Sequence, residues 1–357
     1  MLTPAYIPAF AASSDCLAVF GHLARPAVPG WWQRGKPVSA FASEAGTVGS
    51  CSEEDGEGYH KPVLLDEVLN ALQPEPGKHI LDGTLGGGGH TESFLQAGAR
   101  VSAMDRDSEA IAFASKRVES FEERFESFHG NFATMAEVFP HAHFDGVLLD
   151  FGVSSWQLDQ GRRGFSFRED GPLDMRMDQS QGQTAADLVN EWSEEELADI
   201  FFKYGEEKAS RRVAKAIVVA RGHKSFERTG ELADLVTNVL GGRGRKHPAT
   251  RVFQALRMSV NDELRAVNDG MLAAEKVLKP GGILAVITFH SLEDRLAKQF
   301  FKTRSAAEID RPEWPEPRAN PDCHWRLEQR KPIGAGEKEL KRNPRSRSAL
   351  LRYATKR

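Results

Sequence analysis

The stretch Leu81-Asp82-Gly83-Thr84-Leu85-Gly86-Gly87-Gly88-Gly89-His90 decides how the rest of the chain is read. An apolar run, Ile80-Leu81, ends in Asp82. Four consecutive glycines follow, and Thr91-Glu92-Ser93-Phe94-Leu95 then reads as the first turns of a helix. Glycine brings no Cβ and tolerates positive φ, so this succession lets a ligand approach bare backbone at a helix N-terminus. The glycines miss the G-x-G-x-x-G spacing, because the third glycine of any such reading falls on Thr91 or Glu92. That counts against a dinucleotide. An acid just ahead of the loop suits a ligand with a cationic amino group, such as the amino-acid end of S-adenosylmethionine. Taken alone, the glycine run is explained equally well as a tight strand-to-helix turn.

The next segment favours a ligand. Arg100-Val101-Ser102-Ala103-Met104 reads as a second strand ending at Asp105. This acid lies about twenty residues beyond the glycines, where a carboxylate at a strand tip accepts hydrogen bonds from both ribose hydroxyls of an adenosine ligand. The competing reading makes Asp105 a cap for the helix expected from Ser108 to Val118. Downstream, Phe144-Asp145-Gly146-Val147-Leu148-Leu149-Asp150 is another strand closed by a carboxylate, and Leu278-Lys279-Pro280-Gly281-Gly282 turns into the apolar strand Ile283–Phe289. Glycine loops and acids therefore gather at the carboxyl ends of successive strands, where open α/β sheets bind ligands.

Seven blocks, in order, make the resemblance specific. They are Tyr59–Glu67 (YHKPVLLDE), Asp82–His90, Leu149–Ser155 (LDFGVSS), Arg163–Phe167 (RGFSF), Gly171–Met177 (GPLDMRM), His247–Arg251 (HPATR) and Phe289–Arg295 (FHSLEDR). From about Tyr59 to the C-terminus the chain resembles the MraW/RsmH family, the bacterial 16S rRNA (cytosine-N4)-methyltransferases. The resemblance implies an α/β fold of the class I S-adenosylmethionine-dependent methyltransferase type, Rossmann-like with a mostly parallel sheet and an inserted helical domain. It also implies S-adenosylmethionine as cofactor, and as substrate the N4 of a cytidine in the decoding region of 16S rRNA, within the small ribosomal subunit.

Composition agrees with a cytoplasmic enzyme. The 357 residues, 40% of them hydrophobic, suffice for one large domain and a smaller one. No apolar run is long enough to span a membrane. A net charge of −4 means that RNA contact must come from local basic surface. Cys16, Cys51 and Cys323 are far apart and lack metal-ligand spacing, so no metal is expected.

Residues 1–58 fall outside the resemblance. They are rich in Ala, Gly, Ser and Pro, and Met1–Phe20 has no Lys or Arg, unlike a secretory signal. The stretch is expected to be a disordered tail or upstream sequence translated from a misassigned start codon, with the second slightly favoured. Deleting it is expected to leave melting temperature and activity nearly unchanged. A large loss of stability in the truncated protein would show that it packs on the core.

The remainder divides into a first methyltransferase part at 59–158, a helical insert for substrate recognition at 159–250 and a second methyltransferase part at 251–357. Thr184-x-x-Asp187 and Ser193-x-x-Glu196 are capping-box starts. Val213, Ile217 and Val218 share a helix face, with Arg211, Arg212 and Lys215 outside it. One long helix is expected from Thr250 to Leu278, and alternation after Ser348 marks a last strand.

Carried over residue by residue, the resemblance implies that Gly88, Gly89 and His90 lie along the methionine part of the cofactor. It gives Asp105 the ribose hydroxyls and Phe132 the adenine, and Asp150 and Gln157 complete the set. Without it, Phe132 reads as an ordinary core residue, and His90 as a helix-terminal hydrogen bonder rather than a base. Trp156 stands where related sequences often carry a smaller residue or Pro.

The chemistry narrows independently. Methylation at cytosine C5 needs a cysteine nucleophile, and no cysteine lies near a strand end in the sequence. An exocyclic amine needs instead an acceptor that orients its lone pair. Many amino-methyltransferases place a diprolyl motif after strand four; here Asp150-Phe151-Gly152-Val153 stands there, and Asp150 is the candidate catalytic acceptor.

Three basic runs offer RNA contacts: Arg162–Arg168 with its two phenylalanines, Gly241–His247, and the C-terminal Lys341, Arg342, Arg345, Arg347 and Arg352. Any one of them reads equally as a solvated face. The rival classes are a nicotinamide dehydrogenase, a DNA amino-methyltransferase and a non-catalytic RNA-binding protein that senses S-adenosylmethionine.

Overall fold

A computed structural model describes residues 62–241 and 247–357. Residues 1–58 and the centre of the Gly241–His247 run lie outside them. A short helix, α1 (Leu65–Leu72), leads into strand β1 (His79–Asp82). The expected alternation follows: α2 (Gly89–Gln96), β2 (Arg100–Asp105), α3 (Ser108–Arg117), β3 (Phe125–His129), α4 (Met135–Val138) and β4 (Phe144–Asp150). Asp107, not Asp105, caps α3, accepting from the Glu109 N–H at 3.0 Å.

From α5 (Ser155–Asp159) to Leu278 the described residues form no strand beyond an isolated bridge between Pro172 and Arg228. The helices there are α6 (Ala185–Glu191), α7 (Glu194–Lys203), α8 (Ser210–Arg221), α9 (Thr229–Leu240), α10 (Thr250–Val260) and α11 (Glu263–Val277). Thr184 with Asp187 and Ser193 with Glu196 form the two expected capping boxes. The chain then runs through β5 (Leu278–Thr288), α12 (Ser291–Ser305), β6 (Glu308–Ile309), β7 (Arg318–Ala319), β8 (Trp325–Leu327), β9 (Ile333–Gly334), α13 (Glu337–Arg342) and β10 (Leu350–Lys356).

The main sheet has the order β3-β2-β1-β4-β5-β10-β8, with β9 also on β10. Strands β1 to β5 are parallel, and β10 runs antiparallel to β5. Because strand order reverses between β1 and β4, a crevice opens at their carboxyl ends. Successive side chains of a strand point to opposite faces. Val147 and Leu149 accordingly join Met271, Val277 and Phe301 in one core, while Leu148 joins Leu64, Phe94, Val101 and Leu351 in the other. A third core belongs to the helices between β4 and β5 and includes Leu188, Phe201, Val213, Ile217, Leu232, Val236 and Leu256. No helix among the described residues is long and apolar enough to cross a membrane.

The long helix expected from Thr250 to Leu278 is broken. Asp262 adopts a left-handed φ of 48° between α10 and α11. Asn261, almost fully buried, donates from Nδ2 to the Met175 carbonyl at 2.8 Å and accepts at Oδ1 from the Met177 N–H at 2.8 Å. Asn and Asp tolerate the left-handed region and bond neighbouring backbone, so the break is stabilised by the segment it anchors.

Candidate active site

The crevice between β1 and β4 collects acids from three strand ends. Asp82 ends β1 almost fully buried, accepting from Thr91 Oγ1 at 2.7 Å and from the Thr84 N–H at 3.2 Å. Burial pushes its carboxyl up to about 6, against those two hydrogen bonds. The glycine run turns through left-handed Gly86 (φ 48°) and Gly88 (φ 74°). A Cβ on Gly88 would lie 3.0 Å from that of Ala114, and one on Gly89 3.0 Å from the Pro62 ring. Helix α2 then starts without a side-chain cap, leaving first-turn N–H groups for a ligand.

Asp105 ends β2 and reaches back to this loop. Its Oδ2 accepts from the Gly86 N–H at 2.7 Å and its Oδ1 from the Asp107 N–H at 2.9 Å. Burial raises its carboxyl to about 6 as well. Each oxygen keeps a second lone pair for a hydroxyl donor. Phe132 lies across the crevice wall, 5.6 Å from the Phe151 ring. A Cβ on Gly270 of α11 would fall 2.4 Å from Phe132, so glycine there is what admits the ring. Gln157 is 4% exposed, and its polar ends are engaged. Its Nε2 donates to Asp107 Oδ2 at 2.8 Å and its Oε1 accepts from the Ser154 N–H at 3.1 Å. Trp156 stacks on Phe113 of α3, at 6.2 Å between ring centroids.

Asp150 ends β4 with its backbone N–H donating to Thr84 Oγ1 at 2.7 Å. Its Oδ1 is buried without a hydrogen-bond partner, and its Oδ2 lies 3.9 Å from His90 Nε2. Burial, then the charges of Asp82 and Glu293, hold this carboxyl well above the usual range. His90 is 7% exposed, and burial lowers its imidazole to about 4, the Val63 carbonyl acting weakly the other way. A neutral imidazole therefore faces a proton-hungry carboxylate. That pair can accept a hydrogen bond, and then a proton, from a neutral donor.

A second polar cluster adjoins Asp150 and had no reading in the sequence. Arg257 grips Glu263 through two 2.8 Å hydrogen bonds, and His290 Nε2 lies 2.9 Å from Oε1 of buried Glu293. The Phe289–Arg295 block was a signal for it, but its partners come from α10 and α11.

Within the Arg162–Arg168 run, Arg163, Phe165 and Phe167 depart from the expected RNA-facing role, while Arg168 is exposed. Arg163 is completely buried. It bonds Asp107 at 2.7 Å, Glu109 at 3.2 Å and the Arg176 and Met177 carbonyls at 3.1 and 3.0 Å. Arg162 pairs with Glu109 at 2.9 Å. Phe165 lies in the helical core at 6% exposure, and Phe167 packs on His247 and Phe253. These rings and Arg163 fasten the segment, because Asp107 and Glu109 supply the anions that phosphate was expected to supply. In the C-terminal run, Arg345 pairs with Asp159 at 2.6 Å and Arg352 with Asp294 at 2.7 Å.

The family model described as the MraW methylase family matches residues 57–357. The chain belongs to the MraW methylase family. It is 50% identical over 297 residues to ribosomal RNA small subunit methyltransferase H of Chelativorans sp. (strain BNC1), covering 83% of this chain and 86% of the relative. It is 51% identical over 305 residues to the protein of the same name from Paramagnetospirillum magneticum (strain ATCC 700264 / AMB-1), covering 83% and 95%. The fold is the class I methyltransferase type expected of a family member, and S-adenosylmethionine is the methyl donor. The residues present fit it: a left-handed glycine loop, two carboxylates at the tips of β1 and β2, and an unpartnered Asp150 oxygen at the adjoining strand end.

Proposed function

We propose that this methylase transfers the methyl group of S-adenosylmethionine to the N4 amino group of a cytidine in the decoding region of 16S rRNA, acting on the small ribosomal subunit in the cytoplasm. Ribosomal RNA methylation is supported by the relatives named above, and N4 by the family resemblance. The observation that carries the amine chemistry is the buried, unpartnered Oδ1 of Asp150. In this reading Gly88, Gly89 and His90 hold the methionine part of the cofactor, Asp105 the ribose, and Phe132 the adenine. Gln157 fixes the wall of the site through Asp107. When bound, S-adenosylmethionine supplies a methyl group on a sulfonium that leaves as a neutral thioether. One N4–H donates to Asp150 Oδ1, which turns the nitrogen lone pair toward the methyl group. The same proton passes to the carboxylate as the N–C bond forms, and the product is neutral. Cys323, the one cysteine among the described residues, donates its thiol hydrogen bond to the Ser305 carbonyl at the far end of α12.

Asp105 gives the cofactor arm of this reading its pH dependence. Ribose hydroxyls donate to the charged carboxylate, so affinity is complete above the carboxyl's raised value of about 6 and is lost as pH falls through it. Below about 6 the dissociation constant is expected to rise up to roughly tenfold per pH unit. Asp105→Ala is expected to weaken binding tenfold or more at pH 7.5, the loss of a charged hydrogen bond of about 1.5–3 kcal/mol. Calorimetry showing unchanged affinity and an unchanged pH profile would remove Asp105 from the site.

The test of the function is transfer of labelled methyl from S-adenosylmethionine to small subunits purified from a strain lacking the enzyme, with naked 16S rRNA in parallel. Label confined to a decoding-region fragment supports the reading; label elsewhere, or none in either substrate, overturns it.

A further inference from the structure

Helix α8 carries an unpaired basic face beside an exposed aromatic ring. Its inner residues Val213, Ala214 and Ile217 are fully buried, and its outer stripe is Arg211, Arg212, Lys215 and Val219. Among the described residues none of these three cations, nor Lys208 just before the helix, has an ion pair or a side-chain hydrogen bond, whereas Arg162, Arg176, Arg228, Arg257, Arg304 and Arg352 all do. Phe202, at the end of α7, is 62% exposed although it adjoins an apolar core. Between them lies an open groove of about 680 Å³ lined by Asp199, Phe202, Lys208, Arg211 and Arg212 among others. Lys203 answers Asp199 at 2.8 Å, so the groove is left net positive. Two arginines in the first turn of an uncapped helix also oppose its dipole, a cost that an anion laid there removes.

The groove is tied to the active site. The α7–α8 connection passes through Glu206, which accepts from Ser291 Oγ at 3.2 Å and pairs with Arg295 at 3.7 Å. Ser291 opens α12 next to His290 and Glu293, and the charge of Glu293 acts on Asp150.

We infer that the α7–α8 groove is a docking surface for the sugar-phosphate backbone of the substrate RNA, with Phe202 stacking an unpaired base outside the catalytic crevice. This rests on the rRNA reading above. Lys208, Arg211, Arg212 and Lys215 contact phosphates, and the contacts of Glu206 with Ser291 and Arg295 join the α7–α8 connection to the start of α12. Charge complementarity selects the occupant: an apolar partner leaves four cations buried without counter-charge, while a polyanion with exposed bases uses both the cations and the ring.

The test uses the full chain with small subunits and with naked 16S rRNA at four salt concentrations. The variants are Arg211→Gln/Arg212→Gln/Lys215→Gln, Lys208→Gln alone, and Phe202→Ala. All change exposed side chains, and melting temperature checks that each is folded. Each lost phosphate contact is expected to flatten the slope of log affinity against log salt by about 0.7. The triple variant is thus expected to lose about two units of slope and Lys208→Gln less than one. Phe202→Ala is expected to weaken binding about five- to hundredfold with the slope unchanged. For all three, KM for RNA rises while kcat and cofactor affinity hold. Wild-type slopes and KM in all variants overturn the inference while leaving methylation itself intact. So does weakened binding to subunits alone with an unchanged salt slope, which marks a protein partner. Failure of the rRNA reading looks different: the unaltered protein then transfers no methyl group to either substrate.

Discussion

Replacing Arg163 with Ala is expected to destabilise the protein by about 3–5 kcal/mol, because it strips a buried anion of its partner. The guanidinium is wholly buried and satisfies the Asp107 carboxylate, one Glu109 oxygen and two backbone carbonyls. Truncation leaves Asp107 with only the Gln157 amide and the Glu109 N–H. It also removes the cation from over the Phe165 ring, 5.9 Å away. In a chain of this size the loss corresponds to a fall in melting temperature of roughly four to eight degrees. Arg163→Lys keeps a charge but not the fork, and is expected to fall between the two. Denaturant melts and RNA titrations on the same samples separate this from a phosphate-binding role. A stable Arg163→Ala protein with weakened, less salt-dependent RNA binding would contradict it.

The second large effect is on turnover. Asp150→Asn keeps the size of the side chain and removes its capacity to take a proton, so kcat is expected to fall by about 10²–10⁴-fold, the usual share of a positioned base. Cofactor affinity is expected to change far less. Burial and the neighbouring Asp82 and Glu293 charges hold the Asp150 carboxyl well above the ordinary range. As the proposed proton acceptor it acts in its charged form, so turnover is expected to be full above that raised value and to fall with decreasing pH well before an ordinary carboxylate titrates. Single-turnover methylation across pH checks both. An Asn variant with wild-type turnover and an unchanged acid limb would leave Asp150 as a cofactor contact only.

Much of this was legible in the sequence because it is local. Strands β1, β2 and β4 are short, largely apolar runs ended by an acid, and the capping boxes at Thr184 and Ser193 are four-residue signals. Asp105 and Asp150 could be named as strand-end carboxylates since position in a parallel sheet places them at one edge. What was illegible is depth and distance. Arg162 and Arg163 read alike, yet one is exposed and the other is enclosed by Asp107, 56 residues earlier. The break at Asn261-Asp262 interrupts an apolar periodicity that continues across it, and its cause is the backbone of Met175 and Met177, 84 to 86 residues away. The same break brings Glu263 toward His290 and Glu293, so the Phe289–Arg295 block marked only half of that cluster and its α10 and α11 partners had no linear signature. Gly270, a helix residue without an evident turn role, is explained only by the Phe132 ring lying on it.

The central claim is the atom that receives the methyl group. Nuclease digestion of small-subunit rRNA methylated by the purified protein, followed by mass spectrometry of the nucleosides, identifies that atom directly. Acceptance of the N4 proton by Asp150 requires N4-methylcytidine as the labelled product, and its loss with Asp150→Asn. Recovery of 5-methylcytidine or a methylated purine in its place would contradict the assignment.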